Sequence, residues 1–188
     1  DYLLLTTDSS GNIRWAKTFG NFRNEFSAFL LPVLNPTPDG GFIIAGASNS
    51  SGAGSHDGYV VKTDSDGNLQ WAKNYGSASD DGFASMAQTS DGGYILGGNT
   101  WGFSSPGLFD SWLVKTDSSG NVEWSKAYGS PYEERIWTVH QTSDGGYILD
   151  GYTNNTTSGS RDVYVIKTDA AGSIAWANAY GGAQEEQQ

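Results

Sequence analysis

The chain has 188 residues, enough for one domain of ordinary size or a piece of a larger one. Apolar residues make up 37%, below the roughly 45–50% usual in globular chains, but aromatics reach 13% with 7 Trp, which excludes simple disorder. Lys+Arg is 10 against 21 Asp+Glu, so the net charge of −11 argues against nucleic acid and anionic membranes, and the absence of Cys excludes disulfides, thiolate zinc sites and thiol catalysis.

The chain opens on a strand over residues 1–6 and then a turn, Asp8-Ser9-Ser10-Gly11-Asn12, that leads into a strand around Trp15. That turn and strand recur around Trp71, Trp124 and Trp176, and the four Trp, counted from Trp15, are 56, 53 and 52 residues apart. A second module, Asp-Gly-Gly-aromatic-Ile-aliphatic, alternates with the first and carries Gly41, Gly93 and Gly146. Each period of about 50 residues reads as four strands. In one copy they cover 83–89, 94–98, 111–116 and 121–128, and in the next 136–142, 147–152, 163–168 and 173–180. The second strand is apolar on both faces, as expected of a strand between neighbouring sheets. In the fourth strand, alternation puts Leu69, Trp71 and Tyr75 on one face and Gln70, Ala72 and Asn74 on the other. No segment has helical periodicity, and no apolar run nears the ~18 residues of a membrane span. No charged-then-apolar signal segment opens the chain.

Four-stranded units with Gly and aromatic residues at fixed offsets are the signature of β-propeller blades. A single such sheet cannot bury both faces, and stacking does it, with each Trp filling the space between adjacent units. The expected fold is an all-β propeller, or partial propeller, of four-stranded antiparallel blades with about 3.5 repeats. The array spans 1–188: a half blade at 1–20, blades at 21–76, 77–129 and 130–181, and the start of a further blade or a tail at 182–188. Asp1 is not a plausible native start, so the chain is expected to be a fragment that further repeats or another chain complete.

The run Asp-(Tyr/Trp)-x-Val-Lys-Thr-Asp-x-x-Gly-Asn-x-x-Trp-(Ala/Ser)-Lys-x-Tyr-Gly, followed by Asp-Gly-Gly-Tyr-Ile-Leu, resembles the bacterial β-propeller repeats often called SBBP repeats. The Asp-x-x-Gly-x-x-x-Trp part is also similar to the tryptophan motif of quinoprotein-like (PQQ-type) propellers, and the paired Gly more weakly to kelch repeats. The resemblance covers essentially the whole chain. It implies four-stranded blades on secreted or surface-anchored proteins, usually without an assigned activity, and it carries over no catalytic residue.

Several residues are candidates for chemistry. An acidic pair follows each fourth strand: Asn24-Glu25, Asp80-Asp81, Glu133-Glu134 and Glu185-Glu186. Repeated at one position, these acids would ring a channel mouth and hold Ca2+ through oxygen ligands; alternatively they accept backbone N–H bonds in their own loops. The Asp64-to-Asn68 turn has a partial likeness to an EF-hand loop, but no Glu closes it, and a hairpin turn capped by Asp is the simpler reading. Asp1, Asp57, Asp110 and Asp162 open the third strands and read as acceptors that fix loops.

Asp150 and His140 break the repeat, standing where other copies have Ala45 or Gly97 and Ala87. With Glu134 and Arg135 they could converge for acid–base work, against the simpler reading of a surface histidine. Sequons begin at Asn49, Asn154 and Asn155, all in the loop after the second strand, and suggest a glycoprotein. The middle copy of that loop instead carries Trp101, Phe103 and Phe109, either a binding patch or a cover for the sheet edge.

The function expected from these features is a non-catalytic extracellular or cell-surface scaffold or binding module. It would belong to a larger surface, matrix or filament protein, with other protein chains or further repeats as partners. Two alternatives remain: a glycan-active hydrolase using channel acids, and a calcium-dependent lectin. No cofactor other than possible Ca2+ is implied.

Overall fold

The computed structural model describes residues 1–20, 32–49, 53, 55–101, 103, 108–155 and 161–182. Among them the regular structure is entirely β: three four-stranded sheets and one two-stranded sheet, all antiparallel. No helix of the described residues is long and apolar enough to cross a membrane.

The chain forms two compact units, Asp1–Phe83 and Ala84–Gln188. The first holds the sheet of β1 (Tyr2–Thr7) and β2 (Ile13–Phe19), and the sheet of β3 (Val33–Pro36), β4 (Phe42–Ser48), β5 (Asp57–Thr63) and β6 (Leu69–Tyr75). The second holds β7 (Asp81–Gln88), which begins in the first unit, with β8 (Tyr94–Trp101), β9 (Phe109–Thr116) and β10 (Val122–Tyr128). It also holds β11 (Glu134–Gln141), β12 (Tyr147–Thr153), β13 (Asp162–Thr168) and β14 (Ile174–Tyr180). Strands neighbour in chain order, so each sheet is a meander.

The same seam joins the two sheets inside each unit. In the first, the Trp15 indole lies against the turn glycine Gly67 and meets Phe42 edge-on, with ring centroids 6.0 Å apart. In the second, Trp124 lies against Gly172 and meets Tyr147 edge-on at 5.8 Å. Gly67 and Gly172 have φ of 71° and 73°, and a Cβ on either would come within 2.7 or 2.8 Å of the indole. Glycine is therefore required twice at each, by the left-handed backbone and by the indole. Around the indole, Lys17 donates to Asn68 at 2.8 Å, Lys126 donates to Ser173 at 3.2 Å, and the Tyr128 hydroxyl donates to the Gly172 carbonyl at 2.7 Å.

Below the indoles lie two apolar clusters. Tyr2, Leu4, Phe19, Ile44, Tyr59 and Val61 fill the first unit's seam. Ile95, Leu113, Tyr128, Ile136, Val139, Tyr147, Leu149 and Ile166 fill the second's. The second strands β4 and β8 are buried on both faces, with β8 covered from Tyr94 to Thr100, whereas β12 departs from the expectation: Ile148 and Asp150 on one of its faces are only half-buried.

One expectation fails. Leu69 and Trp71 do not share a face. Trp71 pairs with Lys62 and Leu69 with Thr63, its direct neighbour on β5, because a bulge shifts the register there. Adjacent strand residues point to opposite faces, so the bulge turns Leu69 away from Trp71. The same shift occurs between Thr6 and Thr7, Val122 and Trp124, and Lys167 and Thr168. Trp71 is half-buried like Trp15 and Trp124, whereas Trp176, on the last strand, is 43% exposed.

Trp124→Ala should cost about 2–4 kcal/mol, because it empties a filled seam, and Trp176→Ala under about 1 kcal/mol. Urea denaturation at dilute concentration measures both; equal losses would contradict the seam.

Candidate functional site

The densest charged sites lie at the Asp-Gly-Gly turns. Lys62 on β5 is buried, yet its ammonium donates to both carboxylate oxygens of Asp39 at 3.1 and 2.8 Å, to the Thr63 carbonyl at 2.8 Å and to Gln70 at 2.9 Å. Lys115 on β9 repeats this with Asp91 at 2.9 Å, Glu123 at 2.8 Å and the Thr116 carbonyl. Lys167 repeats it with Asp144 and the Thr168 carbonyl. Each Asp also accepts from the Thr two residues earlier and from the amide of the second glycine, as Asp39 does from Thr37 at 2.5 Å and Gly41 at 3.1 Å. A Cβ at Gly41, Gly93 or Gly146 would overlap a third-strand carbonyl at 2.0–2.1 Å and crowd the ammonium. Those three signature glycines are thus required by the lysine site, and the first glycine of each pair by its positive φ.

The lysine and its neighbours set the carboxyl acidity. Lys62 and then Thr37 hold Asp39 well below the usual carboxylate range. Hydrogen bonds from Thr89 and then Lys115 bring Asp91 down to about 2. Burial works against the charge on Lys115, but Glu123 and Asp91 outweigh it and raise its pKa. These lysines were not singled out in the sequence, although their recurrence in Lys-Thr-Asp before each turn was visible there.

The acidic pairs are engaged in loops. Asp81 is buried and accepts from the Ser77 amide at 2.6 Å and its hydroxyl at 2.9 Å. Glu134, also buried, accepts from the Ser130 amide and hydroxyl and from Thr153 at 3.1 Å. The outer members bind across the loop. Asp80 accepts from Ser55 and contacts His56 Nδ1 at 3.0 Å; Glu133 accepts from Arg135 at 2.7 Å, Tyr152 at 3.1 Å and Asn154 at 3.3 Å. Glu25, Glu185 and Glu186 lie outside the described residues, as does Asn24. Among the described residues no group of three or more His, Asp or Glu is placed to hold a metal ion.

The hairpin Asp residues cap their turns. Asp8 Oδ1 accepts from the amides of Ser10 at 2.8 Å and Asn12 at 2.9 Å, and the Asn12 side chain bonds Oδ2 at 3.0 Å. Asp64 and Asp117 repeat all three contacts. Asp57 and Asp110 are buried at the head of their strands and Asp162 is half-buried.

The proposed acid–base residues are dispersed. Glu134 pairs with Thr153 at one end of β11 and His140 with Ile148 near the other, about 20 Å along the strand. Between them Asp150 accepts a hydrogen bond from Thr138, its cross-strand partner. Two open recesses in the first unit offer no acid–base pair either. One is lined by Tyr2, Leu4, Leu34 and Ile44 beside Asp1, the other by Ala16, Phe19 and Leu69 beside Lys17.

Trp101 and Phe109, expected in the loop, instead pair at the ends of β8 and β9; their rings meet edge-on at 4.5 Å, and the Arg135 guanidinium lies 4.0 Å over Phe109. Phe109 is buried, while Trp101 and Phe103 are exposed. Of the sequon residues, Asn155 is exposed, and Asn49 and Asn154 are half-buried.

Compared with known proteins, the chain matches no family model and no curated sequence. The likeness to propeller repeats therefore rests on the residues quoted above.

Asp39→Asn leaves buried Lys62 with neutral partners only, and should cost about 1–2 kcal/mol after allowance for the carboxylate's exposure. Asp91→Asn should cost less, because Glu123 stays. A carboxyl depressed to about 2 stabilises the fold above its unfolded value near 4, and that stabilisation disappears as pH falls through about 2. Urea titrations between pH 5 and pH 2 should show Asp91→Asn losing less stability than the parent; parallel curves would contradict the assignment.

Proposed function

We propose that the chain is a β-propeller-type repeat array, a complete or partial ring of four-stranded blades akin to bacterial propeller repeats. It serves as a non-catalytic scaffold or binding module of a larger extracellular or surface protein and works through protein–protein association. The observation that supports this is the use of the recurring charged groups. Asp39, Asp91, Asp81 and Glu134 are each bound by turn, loop or neighbouring-strand groups of their own unit. Groups consumed this way serve the sheet and leave the recognition surface to aromatic side chains. Exposed Phe103, Tyr132, Trp176 and Tyr180 are of the residue types that anchor protein interfaces.

The test pairs calorimetry with capture. The scaffold reading predicts no heat on calcium addition, a melting temperature unchanged by EDTA, no turnover on a glycan panel, and saturable capture of a surface protein by folded chain only. A melting temperature raised by calcium and restored by EDTA would replace it with the lectin. Glycan turnover abolished by Asp150→Asn would replace it with the hydrolase.

A further inference from the structure

The chain holds seven Asp-Gly pairs. In such a pair the glycine nitrogen, with no side chain beside it, can attack the carboxyl carbon of its own aspartate. The N–Cγ bond forms, the carboxyl hydroxyl leaves as water with the amide proton, and a five-membered succinimide remains. Water then opens the ring. Opening at the side-chain carbonyl restores aspartate; opening at the main-chain carbonyl leaves isoaspartate, with one extra methylene in the backbone. Water is the only co-reactant. The aspartate must have a carboxyl that is free to turn and able to take up a proton, because its oxygen departs as water.

Six of the seven pairs are blocked. Asp39, Asp91 and Asp144 are bound by a lysine and by the amide of the second glycine of their turns. Hydrogen bonds from Thr89 and then Lys115 hold Asp91 at about 2, which leaves about a hundred-fold less protonated acid than an ordinary carboxyl has. Asp57, Asp81 and Asp150 stand in β5, β7 and β12. Ring closure rotates the peptide after the aspartate, and in a strand that rotation breaks ladder bonds. The first two are also buried, and Asp150 accepts from Thr138.

Asp66 meets none of these constraints. It is exposed in the hairpin between β5 and β6, and its carboxylate has no hydrogen bond or ion pair among the described residues. The other copies of this turn place Ser10, Ser119 and Ala171 there, so the hairpin does not require the carboxylate. The nitrogen that would attack, that of Gly67, gives up one bond, to the Asp64 carbonyl at 3.1 Å.

We propose that Asp66-Gly67 is a spontaneous modification site, where the folded chain converts aspartate to isoaspartate through a succinimide. The product acts on the seam of the first unit. Gly67 is the glycine on which Trp15 rests, and the Asp64 cap on Asn68 fixes where it sits. An added methylene between Asp66 and Gly67 shifts that support, so an aged chain holds Trp15 less tightly. The chemistry is the same whatever the chain binds.

Incubating the folded chain at neutral pH in oxygen-18 water, then digesting it in ordinary water, tests this. Each ring opening adds one heavy oxygen, and electron-transfer fragmentation separates isoaspartate from aspartate. Label and isoaspartate should gather at Asp66 at least about ten-fold faster than at any other Asp-Gly pair. In urea, with the turns and strands melted, the seven pairs should react alike. Asp66→Ser should abolish the fast site. After equal ageing the parent's urea midpoint should fall, while that of Asp66→Ser should hold. A folded chain that labels another pair as fast as Asp66, or that leaves Asp66 unlabelled while the unfolded chain reacts there, would overturn the proposal. Isoaspartate at Asp66 with an unchanged midpoint would overturn its effect on the seam.

Discussion

A four-stranded sheet with two apolar faces cannot remain in water by itself, and in this chain the answer is an indole set on a glycine. Trp15 on Gly67 and Trp124 on Gly172 are the same contact in separate units, each surrounded by the same kind of lysine-to-turn hydrogen bond. The glycine contributes twice. Its positive φ forms the hairpin, and its missing side chain lets the indole approach. Because the Asp that caps the hairpin also fixes where that glycine sits, a local turn determines how one sheet meets the next.

The second recurring device acts inside each four-stranded sheet. A buried ammonium ties the third strand to the Asp-Gly-Gly turn that opens the second and, through Gln70 or Glu123, to the fourth. Burying a lysine is unfavourable unless its protons are all received, and here a carboxylate, a carbonyl and a fourth-strand side chain receive them. At Lys62 and Lys115 this joins three strands at one point, and at all three lysines it explains two glycines in succession, the first for backbone conformation and the second for room.

Much of this was legible in the sequence because a repeat shows the same physical requirement several times. Strand order, the Asp-capped hairpins and the seam role of Trp15 and Trp124 followed from the spacing, whereas Trp176, expected in a seam as well, is exposed. The face of Leu69 did not, because a bulge adds one residue to a two-residue period and leaves no mark in composition. The acids after each fourth strand were ambiguous for another reason: a carboxylate that closes a loop and one that binds a cation have the same sequence, and a residue list does not contain the bonds that Asp81 and Glu134 accept from Ser77 and Ser130. The dispersal of His140 and Glu134 followed from register, which a residue list does not contain.

The contact between Trp124 and Gly172 can be measured by a double-mutant cycle in urea. Gly172→Ala in the parent meets both the left-handed backbone and the indole 2.8 Å away, and should cost about 2 kcal/mol or more. In the Trp124→Ala background only the backbone part, about 1 kcal/mol, should remain. An equal cost in both backgrounds would mean that the indole does not rest on that glycine, and the account of how these sheets are held together would be wrong.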